Sequence, residues 1–150
     1  MFLTLSPTYM GLAQAAYDFT VAYLRGEAPG TPPVKRRMFP TKQIAVAEMH
    51  VMLEQTKALF FQVVSEARAN PTREQVLRAY AAQYTVMENA NALAAKAIRT
   101  CGGQSMLKSL PLERIYRDSR CGSLMLPWTA EICLDRLGRE ALYEPGEKDE

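Results

Sequence analysis

Residues 72–100, TREQVLRAYAAQYTVMENANALAAKAIRT, decide the fold. Val76, Tyr80, Gln83, Met87, Ala90, Ala94 and Ala97 recur at three- and four-residue steps, the period of one α-helical face. Thr72 and Gln75 stand at capping-box spacing, where the hydroxyl accepts from the third amide and the glutamine reaches back to the first. Asn70–Pro71 ahead and Cys101–Gly102–Gly103 behind supply the stops. The spacing predicts one helix from Thr72 to about Thr100, about 40–45 Å long at 1.5 Å per residue.

Working outward, residues 41–69 predict a second long helix after Pro40. Its buried stripe is expected at Ile44, Ala47, Val51, Leu59, Val63 and Ala67, widened by Met49, Met52 and Phe60. Two long helices joined by two or three residues must lie antiparallel. Upstream, Pro7 to Leu24 predicts a first helix, N-capped by Ser6, with Pro7 at the position where a missing N–H costs nothing. Leu12, Ala15, Ala16, Phe19 and Tyr23 form its apolar face, kept thin by Gly11 and the alanines, and Gly26 ends it. Residues 26–37, GEAPGTPPVKRR, carry too much proline and glycine for a helix or a central strand and read as a loop.

Downstream, Leu110 to Arg120 predicts a short helix begun by Pro111. An apolar loop through Pro127, expected to be buried, leads to a last helix from Thr129, its N-cap, to Leu142; residues 144–150 read as a frayed tail. No stretch carries strand periodicity. The fold class expected is all-α: an antiparallel up-and-down four-helix bundle with one short extra helix, a single domain over residues 1–150.

Composition narrows the function classes. A net charge of +2, spread along the chain, gives no field for nucleic-acid binding, and Lys35–Arg36–Arg37 reads first as a solvated loop. With 48% hydrophobic residues and no apolar run near 18, the chain is expected to be soluble, with no membrane contact. The start, MFLTLSPTYMGL, lacks the pattern of a signal peptide. Cys101, Cys121 and Cys133, an odd set without CxxC spacing, fit small buried thiols in a reduced, cytoplasmic protein. His50, the single histidine, leaves little for a metal site or a Ser-His-Asp triad and reads as a plain helix residue.

Three segments resemble the C-terminal helical domain of the acyl-CoA dehydrogenase superfamily of flavoenzymes. GLAQAAYDFTVAYL, residues 11–24, resembles the helix that ends before the family's R-x-x-F-G loop. AIRTCGGQSMLKSLPLERIYRDSR, residues 97–120, resembles A-x-Q-x-x-G-G-x-G…P-x-E-x-x-x-R-D-A-[RK], and TAEI, residues 129–132, resembles E-G-T-[SA]-[EQ]-I. The family fold joins an N-terminal helical domain, a middle β domain and this bundle. FAD and acyl-CoA sit where the three meet, and the bundles assemble dimers or tetramers. The resemblance covers the last part alone, so the chain is expected to be a fragment lacking the other two domains.

The resemblance implies roles for particular residues. Gly102 and Gly103 match the glycines beside which the adenosine half of the partner subunit's FAD passes; the pair also reads as a helix C-cap. Arg99 stands at the family's glutamine position, where a cation could reach a pyrophosphate. Thr129, Ala130 and Glu131 match the residues that meet FAD ribose and pyrophosphate at the last helix's N-terminus, or they serve as ordinary caps. Arg117 and Asp118 match the family's RD pair and read as a structural ion pair and cap.

Two departures stand out. GTPPVKRRMFP replaces the R-x-x-F-G loop, with Arg36 or Arg37 as the available cation. Pro127 occupies the place of the usual catalytic glutamate and Trp128 that of its glycine, and proline cannot take a proton from an α-carbon. No catalytic residue is therefore assigned, and no metal. The function expected is a C-terminal segment of an FAD-dependent acyl-CoA dehydrogenase-like protein, inactive alone, contributing to FAD binding and homo-oligomer assembly. The alternatives are a non-catalytic oligomerisation or partner-binding module, and a piece of a flavin monooxygenase of the same superfamily.

Overall fold

The computed structural model describes residues 3–144, 146 and 147. Five helices follow one another: α1 (Ser6–Arg25), α2 (Pro40–Ser65), α3 (Arg73–Cys101), α4 (Pro111–Arg120) and α5 (Ala130–Leu142). Short 3-10 turns occupy Gly103–Met106 and Cys121–Leu124. The expected all-α bundle is the observed one. Parts of the tail, residue 145 and residues 148–150, lie outside the described residues.

α3 is the hub, packing against each of the other four helices. Its capping box forms: Gln75 N–H donates to Thr72 Oγ1 at 3.3 Å, and Thr72 N–H donates to Gln75 Oε1 at 3.0 Å. Tyr80, Gln83, Met87, Ala90, Ala94 and Ala97 are buried as expected, while Val76 is half-buried. Ala79, Ala82, Val86 and Leu93 are buried too, so burial wraps most of the helix instead of one stripe. The alanines permit this, because a methyl lets neighbouring backbones close in on several sides.

Met49 and Leu53 from α2, Leu112 from α4, and Tyr9, Ala16 and Tyr23 from α1 complete the core against α3. Each large side chain removed from water in this way contributes about 1.5–3 kcal/mol. Gly26 ends α1 at φ 77°, and an added Cβ would stand 3.0 Å from the Pro33 carbonyl carbon, so the chain reversal there requires glycine.

Several sequence expectations are corrected. Ser6 lies inside α1, Leu5 takes the N-cap place, and the Ser6 hydroxyl donates to Gln83 Oε1 at 2.8 Å in the interior. A buried amide on α3 is a stronger claimant for that hydroxyl than the solvent-facing end of α1. Ala15 on α1 is exposed. α2 ends at Ser65, short of Ala69, and Ile44, Ala47, Val51 and Ala67 are exposed. The buried face of α2 is Met49, Leu53, Thr56, Phe60 and Val63. The helix carries two apolar stripes, and the core uses the second. The loop through Pro127 is exposed, with Leu126 at 79%. Of the three free cysteines, Cys121 is exposed while Cys101 and Cys133 are buried.

Candidate cofactor-facing surface

The C-terminal end of α3 meets the N-terminal end of α2. Lys42 Nζ donates to the carbonyl of Thr100, and Lys96 pairs with Glu48 across the same seam. A recess of about 340 Å³ opens there, lined by Thr41, Lys42, Glu48, Lys96, Arg99 and Thr100. The start of α2 has no side-chain cap and no acidic residue in its first turn, so its positive dipole end is unopposed locally. Arg99 is exposed at this rim.

Gly102 caps α3 at φ 90°, a backbone region that disfavours side chains, and its N–H donates to Ile98 O at 2.8 Å. Gly103 is different. Its φ is not in that region, and a Cβ added to it would meet nothing within 4 Å. The fold needs glycine at 102 and has no use for one at 103.

Arg36 and Arg37 part company. The Arg36 guanidinium lies over the Tyr23 ring at 4.6 Å, and its backbone N–H donates to Leu24 O at 2.8 Å, which ties the 26–37 loop to the end of α1. Tyr23 OH in turn donates to Gln104 Oε1 at 3.2 Å, joining that loop end to the turn after α3. Arg37 is exposed, and its carbonyl accepts from Gln43. Phe39, at the N-cap of α2, is 53% exposed. Sequence reasoning missed that Arg36 and Phe39 keep the R-x-x-F spacing, with Pro40 where the motif has glycine; counting from Phe39 backwards finds it. Cys101, beneath this cluster, is pushed up to about 11 by burial, against a lowering pull from the Thr20 hydroxyl, Lys42 and Arg36.

The second set of residues lies elsewhere. Thr129 is the N-cap of α5, accepting from Ile132 N–H at 3.4 Å, as the sequence predicts. Glu131 is exposed, and its carboxyl is held below the ordinary range by its own backbone N–H and the Thr129 hydroxyl. Ala130 is half-buried. Trp128 packs on the Tyr80 ring at 5.8 Å, and Arg73 pairs with Glu140, so α5 runs antiparallel to α3 alongside its N-terminal half. Tyr80 and Arg99 are nineteen positions apart, about 28 Å along the helix. The structure brings Arg99, Gly102 and Gly103 together, and sets Thr129, Ala130 and Glu131 apart from them.

Arg117 reaches Glu113 at 3.3 Å and Asp118 at 3.8 Å, an exposed ion-pair cluster on α4. His50 faces Tyr17 at 5.8 Å between ring centroids on the outside of α2. Among the described residues no group of three or more His, Cys, Asp or Glu could hold a metal ion, and no helix is long and apolar enough to cross a membrane.

Comparison with known proteins fits this architecture. The profile of the family described as "Acyl-CoA dehydrogenase, C-terminal domain" matches residues 3–124, which includes Arg99 and the glycine pair but stops before Thr129. Over 135 residues the chain is 30% identical to a putative acyl-CoA dehydrogenase, YdbM, of Bacillus subtilis (strain 168), covering 89% of this chain and 35% of that protein. The acyl-CoA dehydrogenase of Geobacillus kaustophilus superposes with a TM-score of 0.81 at 21% identity, over 94% of this chain and 36% of that one. KijD3, solved in complex with FMN and a dTDP-linked amino sugar, superposes at 0.79 with 25% identity, over 98% of this chain and 36% of its own. The chain thus spans about a third of the length of these proteins. On the family match across most of its length, it belongs to the acyl-CoA dehydrogenase C-terminal domain family.

Proposed function

We propose that the chain is the FAD-facing and assembly-forming segment of an acyl-CoA dehydrogenase-like flavoprotein, whose remaining domains carry the flavin ring and the acyl thioester. The observation that carries this reading is the end of α3. Gly103 leaves open space that the fold does not require, beside the exposed Arg99 and the uncapped, acid-free start of α2. That combination fits a pyrophosphate: bare backbone for close approach, a cation, and a positive helix end. Thr129, Ala130 and Glu131 fit a second contact. Its distance from the first supports a bundle that touches two cofactor molecules, its own subunit's and its neighbour's.

When bound, FAD supplies the hydride acceptor for α,β-dehydrogenation of the thioester. The residues of this chain hold phosphate and ribose and do no proton transfer: Pro127 offers no base, and Glu131 is an exposed, readily ionised helix-start acid. Titration calorimetry with ADP and with FAD tests the reading. Weak, salt-sensitive binding, lost in Arg99→Glu and in Gly103→Trp, supports it. Binding unchanged in both variants sinks it. No acyl-CoA oxidation is expected from the chain alone.

A second reading has one observation in its favour. Pro127 in place of the base suits a flavin monooxygenase of the same superfamily, which needs no α-proton abstraction, and the similar KijD3 was solved with FMN. Preference for FMN over FAD in the same titration would favour it.

A further inference from the structure

α2 begins with a residue that its own electrostatics disfavour. Lys42 lies in the first turn, at the positive end of the helix dipole, where an acid would stabilise and none is present. Its ammonium is nevertheless held in place. Nζ donates to the carbonyl of Thr100 at the C-terminal end of α3, which fixes a half-buried cation in the wall of the recess of about 340 Å³. That bond orients the ammonium without cancelling its charge, and two further N–H donors remain for a ligand.

The charge around the recess can be counted. Lys42, Lys96 and Arg99 bring three positive charges and Glu48 one negative, which leaves a balance of +2. Glu48 is already paired with Lys96, so the surplus resides on Lys42 and Arg99. Neither of these has a carboxylate partner among the described residues. They approach from different helices and differ in kind: Arg99 is exposed at the rim of α3, whereas Lys42 is tethered from α2.

We propose that Lys42 is the residue by which this recess selects two linked phosphates over one. Lys42 takes the inner phosphate and Arg99 the outer, each through a charge-assisted hydrogen bond. Two unpaired cations on two helices match the two negative charges of a diphosphate diester, one to each phosphate. A lone phosphate gathers its charge at one cation and leaves the other unpaired. The inference rests on the phosphate-facing reading of the recess and adds the residue that sets its selectivity. Lys42 itself stands outside every motif that carries the family resemblance.

Titration calorimetry with ADP and with AMP, which share adenosine and differ by one phosphate, tests it. The unaltered chain should bind ADP at least about tenfold more tightly than AMP. Lys42→Gln should bring the two within about threefold of each other, and Lys42→Arg, which keeps the charge, should restore part of the preference. Glu48→Gln, which releases Lys96 as a third unpaired cation, should tighten ADP by about threefold or more. Because Lys42 also ties α2 to α3, each variant is melted as well. A residue with a structural role alone would lower the melting temperature and leave the ADP-to-AMP ratio where it was. A ratio near one in the unaltered chain, a ratio unmoved in Lys42→Gln, or no gain in Glu48→Gln overturns the inference. ADP that does not bind at all sinks the wider reading with it. ADP binding that Arg99→Glu abolishes and Lys42→Gln leaves selective defeats the role of Lys42 alone.

Discussion

α2 and α3 are neighbours of similar length, 26 and 29 residues, and both read from sequence as amphipathic helices, yet they are used in opposite ways. α3 is enclosed along most of its circumference, because alanines at 79, 82, 90, 94 and 97 let four helices approach it. α2 has bulkier residues on two sides, buries one and presents the other to solvent. Apolar content therefore says that a helix will be covered. Side-chain size says from how many directions.

That contrast can be broken by substitution, beginning where the effect should be largest. Leu93 on α3 is 1% exposed, so Leu93→Ala should cost roughly 3 kcal/mol in chemical denaturation and lower the melting temperature by about 6–12 °C. A loss below about 1 kcal/mol would mean that α3 is not the closed hub described above. The next test uses Cys101, at the C-terminal end of α3. Its thiol is raised from an ordinary 9.0 to about 11 by burial, so the folded state keeps a proton that the unfolded chain releases. Stability is therefore fully present below pH 9 and falls as pH rises from 9 towards 11, by on the order of 2 kcal/mol. Cys101→Ala should flatten this slope in melts across that window.

Ser6→Ala should cost about 1–3 kcal/mol, since it leaves the Gln83 carbonyl buried without its donor; Ser6→Ala/Gln83→Leu should recover part of the loss. Recovery would identify the hydrogen bond, and not the serine's volume, as the stabilising element. Smallest of all, Val51→Ala on the outer side of α2 should change the stability of dilute, monomeric protein by less than about 0.5 kcal/mol. A larger loss would place that stripe in the core after all.

Much of the fold was legible because its signals are local. The capping box at Thr72 and Gln75, the left-handed C-cap at Gly26 with its bonds to Ala22 and Tyr23, the N-cap at Thr129 and proline at the starts of α2 and α4 depend on residues within four positions of one another. What sequence could not settle depends on what arrives from far away. Periodicity marks both apolar stripes of α2 without saying which one α3 will cover. Ser6 looks like a cap until Gln83 competes for its hydroxyl. The 121–127 loop is apolar enough to suggest burial, yet Leu124, Met125 and Leu126 are exposed, since α3 and α5 are already in contact without them.

The candidate surface followed the same division. The glycine pair and Arg99 were readable from their order in the chain, whereas the contribution of Lys42 required α2 and α3 to be placed side by side. Nor does sequence separate the two glycines. Backbone geometry does, by requiring one and leaving the other unexplained by the fold.

The Ser6–Gln83 hydrogen bond joins residues 77 positions apart. Synthesis produces α1 before α2 and α3, with Phe19, Tyr23 and Leu24 facing a binding surface that does not yet exist. α2 cannot substitute, because the sites that receive α1 are mostly on α3. Docking therefore waits until the residues through Cys101 have emerged, and α1 is an unsatisfied amphipath until then. Order of manufacture and order of assembly are close to reversed: the hub must exist before its earliest spoke has anywhere to go.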